Sequence, residues 1–406
     1  MASFSGFIRK SPAHRLRHFF EVRGVDAPDE FDWTSDGRGT ALVRSIENLL
    51  SNLTDRQQDA LKAELDHLAS LADSNGLISA EQICAGQGID IEGLEGVQDV
   101  LLMLSVDHPQ ILDRVAAQAS LMRRTGGKNW SAFQFDDDGF SWALEDETAR
   151  SSFLTDAIAI LDLPDHRKRE ADWYKSIRMH PITGEETEIV QATIYVEERA
   201  ESELAFGPAE TLERQIVQKV LEVGIACNAR DRVVEICSRG GKKVRDEYAK
   251  SFAKHFAPHA DAPVETPRRE VLLDTLRQSP EFEIEPADSI ERVEVSSLEC
   301  YSTGGGFCRF ERRGDDESIY QFLERRFGGF SPLKASGWTI TAATIRIVLA
   351  AREGQRRKTL TVTLRTPNTT TLPNKTEKDR LFVFALLERW NLFAPPPKEI
   401  AVIEVA

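Results

Sequence analysis

The chain is short of the residues that most often announce chemistry. Five cysteines, Cys84, Cys227, Cys237, Cys300 and Cys308, occur in 406 residues. The number is odd, and no two stand at the C-x-x-C spacing of zinc or thiol-redox sites. They read as reduced, buried small hydrophobes, which points to a cytoplasmic protein and excludes a disulfide framework. No run approaches the about 18 apolar residues of a membrane helix, so no membrane contact is expected. The opening MASFSGFIRKSPAHRLRHFF has neither an apolar core segment nor a small-residue cleavage site, so it does not read as a secretory signal. Phe7, Ile8, Leu16, Phe19 and Phe20 suit a docked helix instead.

Catalytic motifs are missing too. None of G-x-x-x-x-G-K-[ST], G-x-G-x-x-G and G-x-S-x-G is present. His14 and His18 are four apart, but Arg15 stands where H-E-x-x-H needs its glutamate, and Lys10 and Arg17 add charge that opposes a metal. FDDDGF offers Asp136, Asp137 and Asp138, but adjacent aspartates cannot all face one ion and the EF-hand spacing is absent. No catalytic residue, metal ligand or cofactor is therefore assigned. A metal-dependent hydrolase or nuclease with a non-contiguous site stays open as an alternative. The net charge of −15 keeps the chain soluble and argues against coating long stretches of nucleic acid.

What is present is architecture. Residues 1–184 read as a helical domain. TDRQQDALKAELDHLASLADSN starts with Thr54 and Gln57 as a capping box, and Leu61, Leu65 and Leu68 follow at helical spacing. Further helices are expected over 40–52, 79–86, 93–105, 108–122, 150–161 and 165–178. The stretch 78–100 has the outline of a helix-turn-helix, but Asp90, Glu92, Glu95 and Asp99 would be repelled by phosphates in a major groove.

After residue 184 the period changes to two. EIVQATIYVEER alternates, and KTLTVTLRT sends Leu360, Val362 and Leu364 one way and Thr361, Thr363 and Arg365 the other. Residues 185–406 therefore read as an α+β domain of mainly antiparallel sheet, with a further division possible at APHADAPVETP, 257–267. Three stretches in it repeat a strand–turn–strand–helix plan. They are 219–256, 292–327 and 338–393, which gives α+β layers of ββα units.

Two groups of residues stand out as candidate sites. The first is the strand-to-helix corner ICSRGGKKVRDEYAKSFAKHF. Arg239, Gly240, Gly241, Lys242 and Lys243, with Lys250 and Lys254 further along the helix, combine permissive glycines, a helix N-terminus and positive charge, the elements of an anion or nucleic-acid contact. Arg356, Arg357 and Lys358 in the turn EGQRRK would join them if folding gathers the two on one face. The competing reading is a tight structural corner, with Val244, Tyr248, Phe252 and Phe256 as the buried stripe. The second group is NWSAFQFDDDGFSW, where Trp130, Phe133, Phe135, Phe140 and Trp142 read as exposed anchors for a partner protein. STGGGF (302–307) reads as a hairpin turn.

These observations favour a non-enzymatic intracellular binding or adaptor protein acting through a protein partner, within a regulatory or defence assembly. Nucleic-acid or nucleotide binding through the basic helix 241–256 is the alternative. The Ala- and Arg-rich usage has a bacterial look.

Overall fold

A computed structural model describes residues 4–28, 30–33, 40–135, 140–179, 185–206, 211–266, 268–312, 317–351 and 357–395. The fold is α+β with antiparallel sheets, helical first and sheet-rich after. It divides into two compact units, and the division falls after Thr266.

The first unit opens with helices: α1 Phe4–Ile8, α2 Ala13–Val22, α3 Thr40–Ser51, α4 Asp55–Leu71, α5 Ser74–Gln87, α6 Val97–Asp107 and α7 Pro109–Arg124. At the start of α4, Gln57 Oε1 accepts from the Thr54 backbone N–H at 3.3 Å. Leu61, Leu65 and Leu68 are buried there, in one apolar cluster with Phe7, Ile8, Leu16, Phe19 and Phe20. The chain continues through β1 Trp130–Gln134, α8 Glu147–Ile160, β2 Arg169–Met179, β3 Glu186–Glu197, β4 Glu201–Phe206, β5 Leu212–Val217, β6 Val220–Asn228, β7 Val233–Cys237, α9 Gly241–Phe256 and β8 Val264–Glu265. Six of these strands form one antiparallel sheet in the order β2-β3-β6-β7-β1-β8, while β4 and β5 pair as a separate ribbon. Helices α8 and α9 supply Phe153, Tyr248, Phe252 and Phe256 to the core with Ile194, Val223, Ile225 and Ile236 of the sheet.

Two expectations need correction. Residues 165–178 are not a helix. β2 pairs with β3 residue by residue from Arg169↔Val196 to Met179↔Glu186. Its two faces both meet apolar neighbours: Tyr174 joins the N-terminal helical cluster, and Trp173 packs on the α8–α9 cluster. A strand covered on both faces shows no polar alternation, which hides its period. For the same reason residue 184 does not separate two compact units. β1 and β2 lie in one sheet with β3, β6 and β7. The N-terminal helices also seat directly on that sheet, since a Cβ on Gly86 of α5 would fall 2.6 Å from the Lys175 carbonyl oxygen of β2. The division lies instead at the end of the 257–267 stretch.

The second unit contains β9 Ile290–Ser302, β10 Phe307–Glu311, α10 Ile319–Phe327, β11 Trp338–Leu349, β12 Thr359–Arg365, β13 Thr369–Thr370 and α11 Glu377–Arg389. Its sheet runs β10-β9-β11-β12-β13. Leu298, Cys300, Ile345, Val362 and Leu364 form the core with Ile319, Leu323, Val383 and Leu387 of the two helices. The strand–strand–helix plan thus recurs as β6–β7–α9 in the first unit and as β9–β10–α10 and β11–β12–α11 in the second, the last with β13 between strand and helix.

Candidate functional site

Helix α9 begins at the double glycine. Gly240 is its N-cap at φ 98°, and Gly241 follows at φ 84°. A side chain is strained at such angles, and a Cβ on Gly240 would also fall 2.6 Å from Cγ2 of Val244. The corner therefore needs glycine whether or not a ligand is held. Tyr248, Phe252 and Phe256 are buried along the helix and Val244 is half-buried, as the apolar stripe requires.

The cations of the corner are largely answered from within the chain. Lys242 pairs with Glu265 of β8. Lys250 donates to Glu247 at 2.9 Å. Lys254 donates to Asp156 of α8 at 3.1 Å, and Asp156 also accepts from Ser251 at 2.9 Å and contacts His255 Nε2 at 2.8 Å. Arg239 and Lys243 are exposed and have no such partner among the described residues. Partial burial raises the Glu265 carboxyl, but hydrogen bonds from Lys242 and Ser131 outweigh it and leave the group below the ordinary carboxylate range. Asp156 shows the same balance, with His255, Lys254 and Ser251 outweighing burial.

Arg245, the cation between Lys243 and Lys250 on α9, is not on the surface. It is 6% exposed and reaches Ser131 on β1, where Nε donates to Oγ at 2.8 Å. Ser131 in turn donates to Glu265 at 2.7 Å. The Nη1 atom of Arg245 is buried with no hydrogen-bond partner. An Arg–Ser–Glu–Lys relay thus ties α9, β1 and β8 together.

The other predicted cations lie in the second unit. Arg357 pairs with Glu291 at 3.2 Å, and Lys358 donates to Asp379 at 2.7 and 2.9 Å. Both belong to the second unit and α9 to the first. Arg356 lies outside the described residues, as do Asp136, Asp137 and Asp138.

The aromatic segment is partly core where exposed anchors were expected: Phe133 and Phe135 are buried, and Trp130, Phe140 and Trp142 are half-buried. Phe133 is 2% and Phe135 1% exposed. Trp142 packs on Phe135 and Phe140 with centroids 5.0 and 4.8 Å apart and donates Nε1 to the Ala229 carbonyl at 3.3 Å. Trp130 donates Nε1 to Glu235 at 3.1 Å. Within β1, Ser131, Ala132 and Phe133 are buried, and Trp130 and Gln134 at its ends are half-buried.

The buried thiols are poor nucleophiles. Burial pushes the Cys84 thiol up to about 11 and Cys227 up to about 12. Burial, reinforced by Cys308, pushes Cys300 up to about 12. A thiol this high is protonated at neutral pH and inert. Among the described residues, no group of three or more His, Cys, Asp or Glu could hold a metal ion. An open cavity of about 770 Å³ in the first unit is lined by His67, Asp113, Asp172, Tyr195 and Glu222, but its arginine, Arg114, is already spent in a bidentate pair with Asp172 at 2.8 Å.

The surface that sequence reasoning missed is the β4–β5 ribbon. Its register sets Phe206 opposite Leu212, Leu204 opposite Arg214 and Ser202 opposite Ile216, all on one face. Leu204, Phe206, Leu212 and Ile216 are 57–72% exposed there. Among the described residues neither strand pairs with any other, so both outer edges are open. The signal is legible as alternation in ESELAF and LERQIV, where glutamates are interleaved with the apolar residues.

Fold and surface together define a two-unit α+β protein that carries an apolar β ribbon. No protein-family model and no curated protein matches the chain. No described helix is long and apolar enough to cross a membrane.

Proposed function

We propose that this chain is a non-enzymatic binding protein that docks a partner protein on the apolar face of the β4–β5 ribbon. One observation carries the reading: four large apolar side chains share one face of a two-stranded ribbon and stay more than half exposed. An isolated hairpin is marginal in water, and large exposed apolar patches mark interaction sites. Covering these side chains contributes on the order of 1–2 kcal/mol each before the costs of association. The open edges allow an extended segment to add as a third strand. The partner is apolar at this contact, and the acidic field around it favours a basic one: residues 1–266 hold 46 of the 66 acids but only 30 of the 51 bases, although Glu201, Glu203 and Glu213 lie on the ribbon's other face, the first two paired with Lys219. The buried, protonated thiols support a reducing compartment such as the cytoplasm.

A photo-crosslinking residue placed at 206 or 216 tests this in cells. The expected result is one discrete protein adduct that Leu204→Ser with Leu212→Ser abolishes. Adducts spread over many proteins in proportion to their abundance, or an adduct unchanged by that double substitution, would overturn it.

A further inference from the structure

The second unit has an unabsorbed surface of its own. Leu298, Cys300, Val362 and Leu364 point from its sheet into the core under α10 and α11. The residues that alternate with them point the other way. Register places Arg309 of β10 beside Glu299 of β9, Glu299 beside Ala342 of β11, and Ala342 beside Arg365 of β12. One row across four strands is therefore Arg, Glu, Ala, Arg. The adjoining position toward the turn sets Tyr301 opposite Phe307 on the same face.

Two features of this face point to one ligand chemistry. The rings are free: Tyr301 is 49% and Phe307 60% exposed, and among the described residues neither packs on another aromatic ring. The charge is layered. Glu299 is sunk, its side chain 11% exposed, whereas Arg309 and Arg365 above it are 51% and 50% exposed. Arg365 reaches over the small Ala342 to grip Glu299 at 2.8 and 3.1 Å, and Arg309 lies 3.7 Å from the same carboxylate. The carboxylate fixes the guanidinium groups in place, and each guanidinium has five N–H donors, more than these contacts use. Arg309 also donates from Nη2 to the exposed Glu311 of the same face at 3.2 Å, so what faces outward is two ion-paired arginines with N–H donors to spare, beside two exposed rings. The acidic excess of the chain is not here either, since residues 267–406 hold 21 bases and 20 acids.

We propose that this sheet face binds single-stranded nucleic acid, with Tyr301 and Phe307 each stacking a base and Arg309 and Arg365 contacting phosphates. Aromatic side chains beside guanidinium groups are how sequence-tolerant single-strand binding is built, because every base has a π-face and every nucleotide a phosphate. A duplex offers no free base face, so the surface selects unpaired strands. The reading is independent of the β4–β5 ribbon.

Fluorescence anisotropy of the full chain with labelled oligo-dT and oligo-U provides the test. Tyr301→Ala and Phe307→Ala each weaken binding by about 5- to 150-fold, the range measured for loss of one base stack. Arg309→Gln lowers the slope of log affinity against log salt by about one, as expected for one lost phosphate contact. All three residues are about half exposed or more, so melting temperatures stay near wild type. Three results would overturn the proposal. One is no binding at low salt up to about 100 µM protein, the weak end of non-specific affinity. Another is equal affinity for a duplex of the same length. The third is unchanged affinity in the Tyr301→Ala, Phe307→Ala double variant.

Discussion

Arg245 and Ser131 should respond to substitution in opposite ways, although they hold the same hydrogen bond. Ser131 is 3% and Arg245 6% exposed. Ser131→Ala removes a hydroxyl that accepts from Arg245 Nε and donates to Glu265. Arg245 then keeps a buried charge with Nε and Nη1 both unpaired, and Glu265 retains Lys242 alone. An orphaned buried donor costs about 1–3 kcal/mol and a lost bond to a charged group a similar amount, so the loss should be about 2–4 kcal/mol. Arg245→Met removes the buried charge instead. The Ser131–Glu265 bond survives, the methionine fills much of the same space, and stability should stay within about 1 kcal/mol of wild type. The double variant should be more stable than Ser131→Ala alone, because the charge orphaned by the first change is deleted by the second. Urea unfolding by circular dichroism reads the stabilities, and hydrogen exchange over 130–134 assigns the change to β1. A loss above about 3 kcal/mol in Arg245→Met would refute the reasoning. It would mean that the guanidinium holds something worth more than Ser131, an anion bound at the corner being the first suspect.

Three further outcomes follow from the same geometry. Phe135→Ala should cost about 3–5 kcal/mol as a buried aromatic truncation, and a near-wild-type melting temperature would return that ring to the surface role expected from sequence. The depressed carboxyl of Asp156 contributes stability that is fully present above its unfolded pKa of about 4 and lost as pH falls through the lower folded value; Asp156→Asn should flatten the acid limb of a stability–pH curve below about pH 4, and an unchanged limb counts against the Ser251–Lys254–His255 cluster. Residues 268–395, which hold a sheet, two helices and their own apolar core, should melt cooperatively as an isolated fragment, whereas a fragment beginning at 185 should not gain a second transition, since it lacks β1 and β2.

Much of this fold can be read from local pattern, and the failures share a cause. The Thr54–Gln57 box and the Leu360, Val362, Leu364 alternation are legible because each element has one wet face to supply contrast. β2 has none: Tyr174 and Trp173 are drawn to opposite cores, so nothing in READWYKSIRM marks a period of two. The aromatics from Trp130 to Trp142 misled in the complementary way. Next to a run of aspartates they read as surface, but Phe133 and Phe135 belong to the core and Phe140 and Trp142 pack against it. Arg245 flanks the stripe of Tyr248 and Phe252 on α9, and only the fold brings Ser131 to meet it. In β4 and β5 the apolar alternation was visible. What the sequence does not contain is that no other strand comes to cover it.

The corner that looks most like a phosphate site gains its meaning from its two counterparts. At the start of α10, Ser318 accepts from the Gln321 backbone N–H at 3.2 Å, and at the start of α11, Thr376 accepts from that of Asp379 at 3.2 Å. Both helices are capped by an ordinary side chain. α9 has no such cap, because Gly240 carries no side chain and its angles admit none. The negative group arrives from elsewhere: Glu265, at the end of the short edge strand β8, is drawn to Lys242 in the first turn of α9 and to Ser131 beside it. A helix N-terminus favours an anion of any origin, and here the chain brings its own carboxylate to that turn. A phosphate could contact Lys242 only in competition with Glu265, which would then lose its cation while still half-buried. That competition is why the arginine and lysine content of ICSRGGKKVR, taken alone, overstates the affinity of this corner for an external ligand. Arg365 of β12 carries less of that handicap, because the Glu299 carboxylate that holds it lies beneath it, whereas a phosphate at Arg309 of β10 would compete with the exposed Glu311.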